Sequence, residues 1–105
     1  MTNSRFLEEL AERAKLHGFE QTAFGEIREK KTGCCPIVAV WHRTKNFTET
    51  MHADNHCWDM CASDLELEQK WAEQIALAAD GHHTTHPVLT DARNELEFTL
   101  GMKND

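Results

Sequence analysis

The stretch that decides the predicted fold is Cys35–Arg43, which reads CPIVAVWHR. Its β-branched and aromatic residues suit the pleated surface of a sheet. Apolar and polar positions do not alternate, which indicates a strand buried on both faces. The apolar run Ile37–Trp41 is about a quarter of the length that spans a membrane. We therefore predict that these residues form the central strand of a sheet.

Weaker strands are predicted on both sides of this stretch, and a helix precedes them. Apolar residues recur every three or four positions from about Ser4 to His17, which predicts a helix that ends at Gly18. Residues 22–31 predict a weak strand. Residues 47–53 predict an edge strand, because one of their alternating faces mixes apolar residues with Glu49 and the other is polar.

A second helix is predicted to begin at Ser63-Asp64-Leu65-Glu66, which has the pattern of a capping box. Glycine at position 81 would end it. In this interpretation Glu66, Glu73 and Asp80, two helical turns apart, form the outward face. An earlier start near Asn55 would instead place Cys57, Cys61 and Leu65 on one apolar stripe.

Residues 91–102 fit either a helix capped by Thr90 or a strand. Leu96, Phe98, Leu100 and Met102 alternate strictly with other residues, which favours a half-buried strand. The whole chain, residues 1–105, is then a single α+β domain. Its predicted element order is α-β-β-β-α-β, with the helices packed on an antiparallel sheet.

Negative charge is concentrated in one third of the chain. The net charge is −7, and residues 49–80 contain eight acidic residues against Lys70 alone. Such a field repels phosphate backbones and attracts basic surfaces, so direct binding to nucleic acid is not expected. The opening MTNSRFLEEL lacks the features of a secretion signal, and we expect a cytoplasmic protein without a membrane segment.

Cysteine and histidine residues form a dense cluster in DNHCWDMC, residues 54–61. Packing of Cys57 and Cys61 inside a helix is the simplest interpretation, because free cysteine is among the most buried residue types. Zinc binding by these two residues is the alternative and requires further ligands. The candidates for those ligands are His52, His56 and either Cys34 or Cys35.

No catalytic motif is recognisable, and we expect a protein that has no enzymatic activity and no cofactor, with zinc as the alternative cofactor. The predicted function is regulation or inhibition of a partner protein, such as a nucleic-acid-handling enzyme, in the manner of phage-encoded inhibitors. A basic surface of that partner would contact an acidic helix face. A thiol-dependent enzyme is a third hypothesis. The residues predicted to bind the partner are Asp59, Asp64, Glu66, Gln69, Glu73 and Asp80.

Overall fold

The predicted central strand is a helix, so that prediction is wrong. In the computed structural model, which describes residues 1–45 and 57–102, the helix Pro36–Thr44 follows an extended Cys35. Proline suits the first helical turn because its missing N–H would have no partner there. Residues 36–42 are all buried. A helix that is apolar around its whole circumference has the same composition as a buried strand.

The described residues form five helices and one two-stranded sheet. The α+β assignment is therefore only partly confirmed: the fold is mostly helical with a small antiparallel sheet, and the predicted element order is not observed. Single turns of 3₁₀ helix lie at His82–Thr84 and Pro87–Leu89. The elements are α1 (Asn3–His17), β1 (Phe19–Gln21), β2 (Ile27–Glu29), α2 (Pro36–Thr44), α3 (Trp58–Asp64), α4 (Gln69–Ala79) and α5 (Thr90–Thr99).

Helix α1 is confirmed, with its start at Asn3 instead of about Ser4. Thr2 lies at the N-cap, and its hydroxyl accepts a hydrogen bond from the Arg5 amide at 3.1 Å. The predicted strand over residues 22–31 is instead a hairpin. It pairs Phe19 with Glu29, and residues 22–26 form its turn. The predicted edge strand at residues 47–53 lies outside the described residues.

The predicted capping box does not start a helix. Ser63 and Asp64 end α3, and α4 begins only at Gln69. Leu65 lies at the C-cap of α3, and the Leu67 amide donates a hydrogen bond back to the Ala62 carbonyl at 3.0 Å. This hydrogen bond pairs a carbonyl group of the last turn of α3, as is common at the C-termini of helices.

Helix α5 replaces the strand predicted within residues 91–102. Ala92 and Leu96, four residues apart, are buried against the core, whereas the side chain of Phe98 is 79% exposed. The buried residues of this segment therefore follow the four-residue spacing of a helix and not the alternation of its apolar residues. Gly81 does follow the end of α4 as predicted, with a φ of +90°.

One buried core holds these elements together, and α2 lies at its centre. Helix α2 contacts α1, α3, α4 and strand β2. The ion pair between Arg13 on α1 and Glu29 on β2 is buried on both sides, with side-chain exposures of 5% and 0%. None of the helices in the described part of the chain is both long and apolar enough to cross a bilayer.

Candidate docking site

The six residues predicted to bind a partner do not share one helix face. Asp59 and Asp64 lie on α3, and Glu66 lies in the connection between α3 and α4. Gln69 and Glu73 are on α4, and Asp80 is its C-cap. The prediction that Glu66, Glu73 and Asp80 form a single stripe on one helix is wrong. Glu66 lies outside the helices, because α3 ends at Asp64 and α4 begins only at Gln69.

Asp80 is neutralised by a residue of the same chain. Its carboxylate accepts a hydrogen bond from Arg28 Nη2 at 2.8 Å, and the same nitrogen lies 3.1 Å from Glu26 Oε2. Burial acts to lower the pKa of Arg28, but contact with Asp80 raises it above its usual value. Asp80 is therefore engaged within the chain, by an arginine that it shares with Glu26, and it does not line the depression described next.

Two of the other acidic residues, Asp64 and Glu66, line one shallow depression. We call this depression of about 520 Å³ the acidic concavity, and it is lined by Trp41, Met60, Ser63, Asp64 and Glu66. Asp59 precedes Met60 in the first turn of α3. Met60 is 45% exposed and supplies apolar surface. The concavity thus combines acidic groups with an accessible apolar side chain.

Asp64 is held in place at the edge of the acidic concavity. The indole Nε1 of Trp41 donates a hydrogen bond to Asp64 Oδ2 at 2.7 Å, and Lys45 Nζ lies 3.5 Å from the same oxygen. The hydrogen bond from Trp41, followed by the charge of Lys45, lowers the pKa of the Asp64 carboxyl. Asp64 is therefore an ionised acceptor with a fixed position at neutral pH.

Asp59 is likewise ionised. The Cys57 thiol and the Met60 amide donate hydrogen bonds to its carboxylate, which lowers the pKa of Asp59. Together with Asp64 and Glu66 this makes three carboxylates, and Lys45 is the cation paired with one of them. Two cations lie near these three carboxylates, Lys45 beside Asp64 and the α-amino group of Met1 at the Glu66 carbonyl, so the region has a net charge of −1.

Glu66 has an unusual backbone conformation. Its φ is +58°, and it is the single non-glycine residue with positive φ in the described part of the chain. The position after a helix C-cap commonly takes this conformation and usually carries glycine or asparagine. The α-amino group of Met1 donates hydrogen bonds to the carbonyl oxygens of Leu65 and Glu66, at 3.0 and 3.2 Å. These contacts fix the turn that presents the Glu66 carboxylate.

The cysteine residues divide between core and surface. Cys34 and Cys61 are fully buried, Cys35 is half-buried and Cys57 is exposed, and all four are free thiols. The packing interpretation therefore agrees with the position of Cys61 but not with that of Cys57, which caps α3. Burial, with further contributions from Cys35 and Cys57, raises the pKa of Cys61 to about 12.

The raised pKa of the buried thiols bears on the two alternative functions. A protonated thiol is a poor nucleophile, so this observation does not favour a thiol-dependent enzyme. Within residues 1–45 and 57–102 no three His, Cys, Asp or Glu side chains are grouped to hold a metal ion. His52 and His56 lie outside the described residues, and zinc binding that includes them stays a prediction.

Reasoning from sequence missed Trp41, Lys45 and Met60 as parts of the acidic concavity. The sequence predicts a buried strand for Trp41, whereas the helix Pro36–Thr44 brings its indole next to α3. Proline at position 36 was the available signal, because proline favours the first turn of a helix.

Comparisons of the chain with protein-family models, with curated proteins and with solved structures find no match.

Proposed function

We propose that this protein is a small non-catalytic binding protein that regulates or inhibits a partner protein. A basic surface of the partner docks in the acidic concavity. The observation that carries this proposal is that Asp64 and Glu66 line one depression together with the exposed Met60. The φ of +58° at Glu66 belongs to the turn that ends α3, and a left-handed conformation costs a non-glycine residue about 1 kcal/mol or more.

The chemistry of the acidic concavity suits a lysine or arginine side chain. The aliphatic part of such a side chain can pack on Met60 while its charged end reaches Asp64 and Glu66. Asp64 is already oriented by Trp41, so little ordering is needed when a cation binds. Complementary charge mainly accelerates association and selects the partner.

Nucleic-acid-handling enzymes are the partner class that the charge favours. Their substrate grooves carry lysine and arginine residues that neutralise phosphates. A protein with a net charge of −7 can compete for such a groove, in the manner of phage-encoded inhibitors. We place the protein in the cytoplasm, where free thiols remain reduced.

A pair of charge-neutralising variants tests the docking site. Glu66→Gln removes a charge from the acidic concavity, and Glu95→Gln removes an equal charge from an exposed position on α5. Binding of a synthetic peptide of alternating arginine and leucine is measured by calorimetry. We expect Glu66→Gln to weaken binding about tenfold, which corresponds to about 1.4 kcal/mol, and Glu95→Gln to change it less than twofold. Equal effects of the two variants would contradict a localised site.

A third variant separates binding from stability. Glu66→Gly removes the carboxylate and also relieves the backbone strain, so the free energy of unfolding should stay constant or rise by about 1 kcal/mol. Binding of the peptide should nevertheless fall. The same variants are then applied to a partner captured from the native host. A partner that binds Glu66→Gly as tightly as the unmodified protein would refute the proposal.

Zinc binding is the second candidate function. The four cysteines do not form a group of three or more metal ligands among the described residues, so a zinc site would need His52 or His56, which lie outside them. Thiolate sulfur is the ligand that structural zinc prefers. Native mass spectrometry with and without a chelator tests it, and an unchanged mass and melting temperature would remove this candidate.

A further inference from the structure

A second depression lies along α4, away from the residues that line the acidic concavity. One side of it consists of Lys70, Glu73, Gln74 and Leu77, which recur at three- and four-residue spacing and so share a helix face. The space measures about 560 Å³, and we call it the α4 groove. Small-molecule sites have volumes of roughly 300–1,000 Å³ and combine apolar lining with a few polar groups.

The opposite side of the α4 groove comes from the 3₁₀ turns that precede α5. His82, His86, Val88 and Leu89 line it. Leu89 is 5% exposed and forms part of the core, whereas Val88 is 76% exposed. With the half-buried Leu77, these residues supply the aliphatic part of the lining.

The two charged side chains of the α4 groove are available to a ligand. Lys70 and Glu73 are three residues apart on α4, yet no ion pair joins them, and neither has a charged partner among the described residues. Glu12 and Lys15 on α1, which have the same spacing in the opposite order, do form an ion pair of 3.1 Å. The groove therefore offers one cation and one anion about a helical turn apart.

His86 adds a hydrogen-bond acceptor. Its Nδ1 lies 3.3 Å from the His82 carbonyl oxygen and 3.0 Å from the Thr85 hydroxyl. We assign the Nδ1–H tautomer, because it lets this nitrogen donate to the His82 carbonyl oxygen, which can only accept. The other nitrogen, Nε2, then carries a lone pair that can accept a hydrogen bond from an ammonium group.

We propose that the α4 groove binds a free α-amino acid with an apolar side chain, such as leucine. The ammonium group of the ligand is bound by Glu73 and by His86 Nε2, and its carboxylate is bound by Lys70. The aliphatic side chain packs against Leu77 and Val88. This inference is independent of the acidic concavity and of the partner protein.

Ligand analogues test each part of the proposal. Leucine is titrated into isotope-labelled protein, and the methyl resonances of Leu77 and Val88 are followed by NMR. We expect saturable shifts with a dissociation constant on the order of 1 mM, because the charged contacts are exposed and each contributes little. Leucinamide, N-acetylleucine and glycine each lack one of the three features and should bind at least fivefold more weakly.

Protein variants provide the matched control. Lys70→Gln and Glu73→Gln should each weaken leucine binding at least fivefold, whereas Lys15→Gln and Glu12→Gln on α1 should leave it unchanged. Absence of saturable shifts up to about 20 mM leucine would overturn the proposal. It would equally be overturned if N-acetylleucinamide, which has neither charge, bound as tightly as leucine.

Discussion

Removal of Arg13 from its buried ion pair should strongly destabilise the protein. Arg13 Nε lies 2.6 Å from Glu29 Oε2, and Nη2 donates to Oε1 at 2.9 Å, so the contact is bidentate. The Thr32 hydroxyl donates to Oε1 at 2.6 Å. Methionine at position 13 would preserve most of the volume while it removes both donors and the positive charge. The Glu29 carboxylate would then be buried with Thr32 as its remaining side-chain donor.

The size of the effect follows from burial. Glu29 is 1% exposed and Arg13 is 4% exposed, so water cannot replace the lost partner. Removing one member of a buried pair costs about 3–5 kcal/mol. A protein of this size has a total stability of about 5–15 kcal/mol, so Arg13→Met is expected to lose a large fraction of it. The double variant Arg13→Met/Glu29→Met has no unpaired buried charge and should recover most of the loss.

Urea unfolding monitored by circular dichroism measures this effect. With an m value of about 1.5 kcal/mol/M, a loss of about 4 kcal/mol lowers the midpoint by about 2.7 M. The control is Arg5→Met on the same helix, whose ion pair with Glu9 is exposed on the arginine side and should contribute less than about 1 kcal/mol. Equal midpoints for the Arg5 and Arg13 variants would refute the reasoning.

Three further predictions concern local packing. Gly81→Ala should destabilise the protein by about 2–3 kcal/mol, because φ is +90° and a Cβ would lie 3.1 Å from a backbone oxygen. Gly33→Ala is the control and should cost only about 1 kcal/mol, because its φ is +75° but its Cβ would meet open space. Thermal unfolding of both variants measures the difference. Arg93→Lys should cost about 2–3 kcal/mol in urea unfolding, because lysine cannot reproduce the guanidinium that donates to two carbonyl oxygens and one carboxylate; a loss below 1 kcal/mol would contradict this. A thiol reagent at pH 7.5 should label the exposed Cys57 within minutes and leave Cys61 unlabelled until the protein unfolds, and mass spectrometry of the peptides distinguishes the two.

The sequence predicts a helix correctly where apolar residues form one stripe, and it fails where the helix is apolar on all sides and no stripe is visible. Helix α1 has one apolar stripe, and its prediction is correct to within one residue at the start. Helix α2 is buried on all sides, so no periodicity marks it, and its β-branched residues favour a strand. Its burial comes from tertiary packing against α1, α3 and α4, which local pattern does not contain.

Patterns of only four to seven residues gave wrong predictions at two other places in the chain. Ser63 to Glu66 match a capping box, but the same serine and aspartate end α3. The alternation that begins at Leu96 covers too few residues to outweigh the four-residue spacing of Ala92 and Leu96, which packing uses. Each short pattern is compatible with two backbone conformations, and only contacts with residues distant in sequence decide between them.

Part of the candidate site was nevertheless predicted from the sequence, because charge does not depend on secondary structure. Asp59, Asp64 and Glu66 were identified as acidic residues that a partner could contact, although the helix assigned to them was wrong. The break between α3 and α4 replaces a straight acidic stripe with a concavity, and it separates Glu73 from Asp64. A stripe would attract any basic surface, whereas a concavity with Met60 beside two carboxylates discriminates by shape. In the proposed docking site, the turn at Glu66 therefore adds a defined geometry to a general electrostatic attraction.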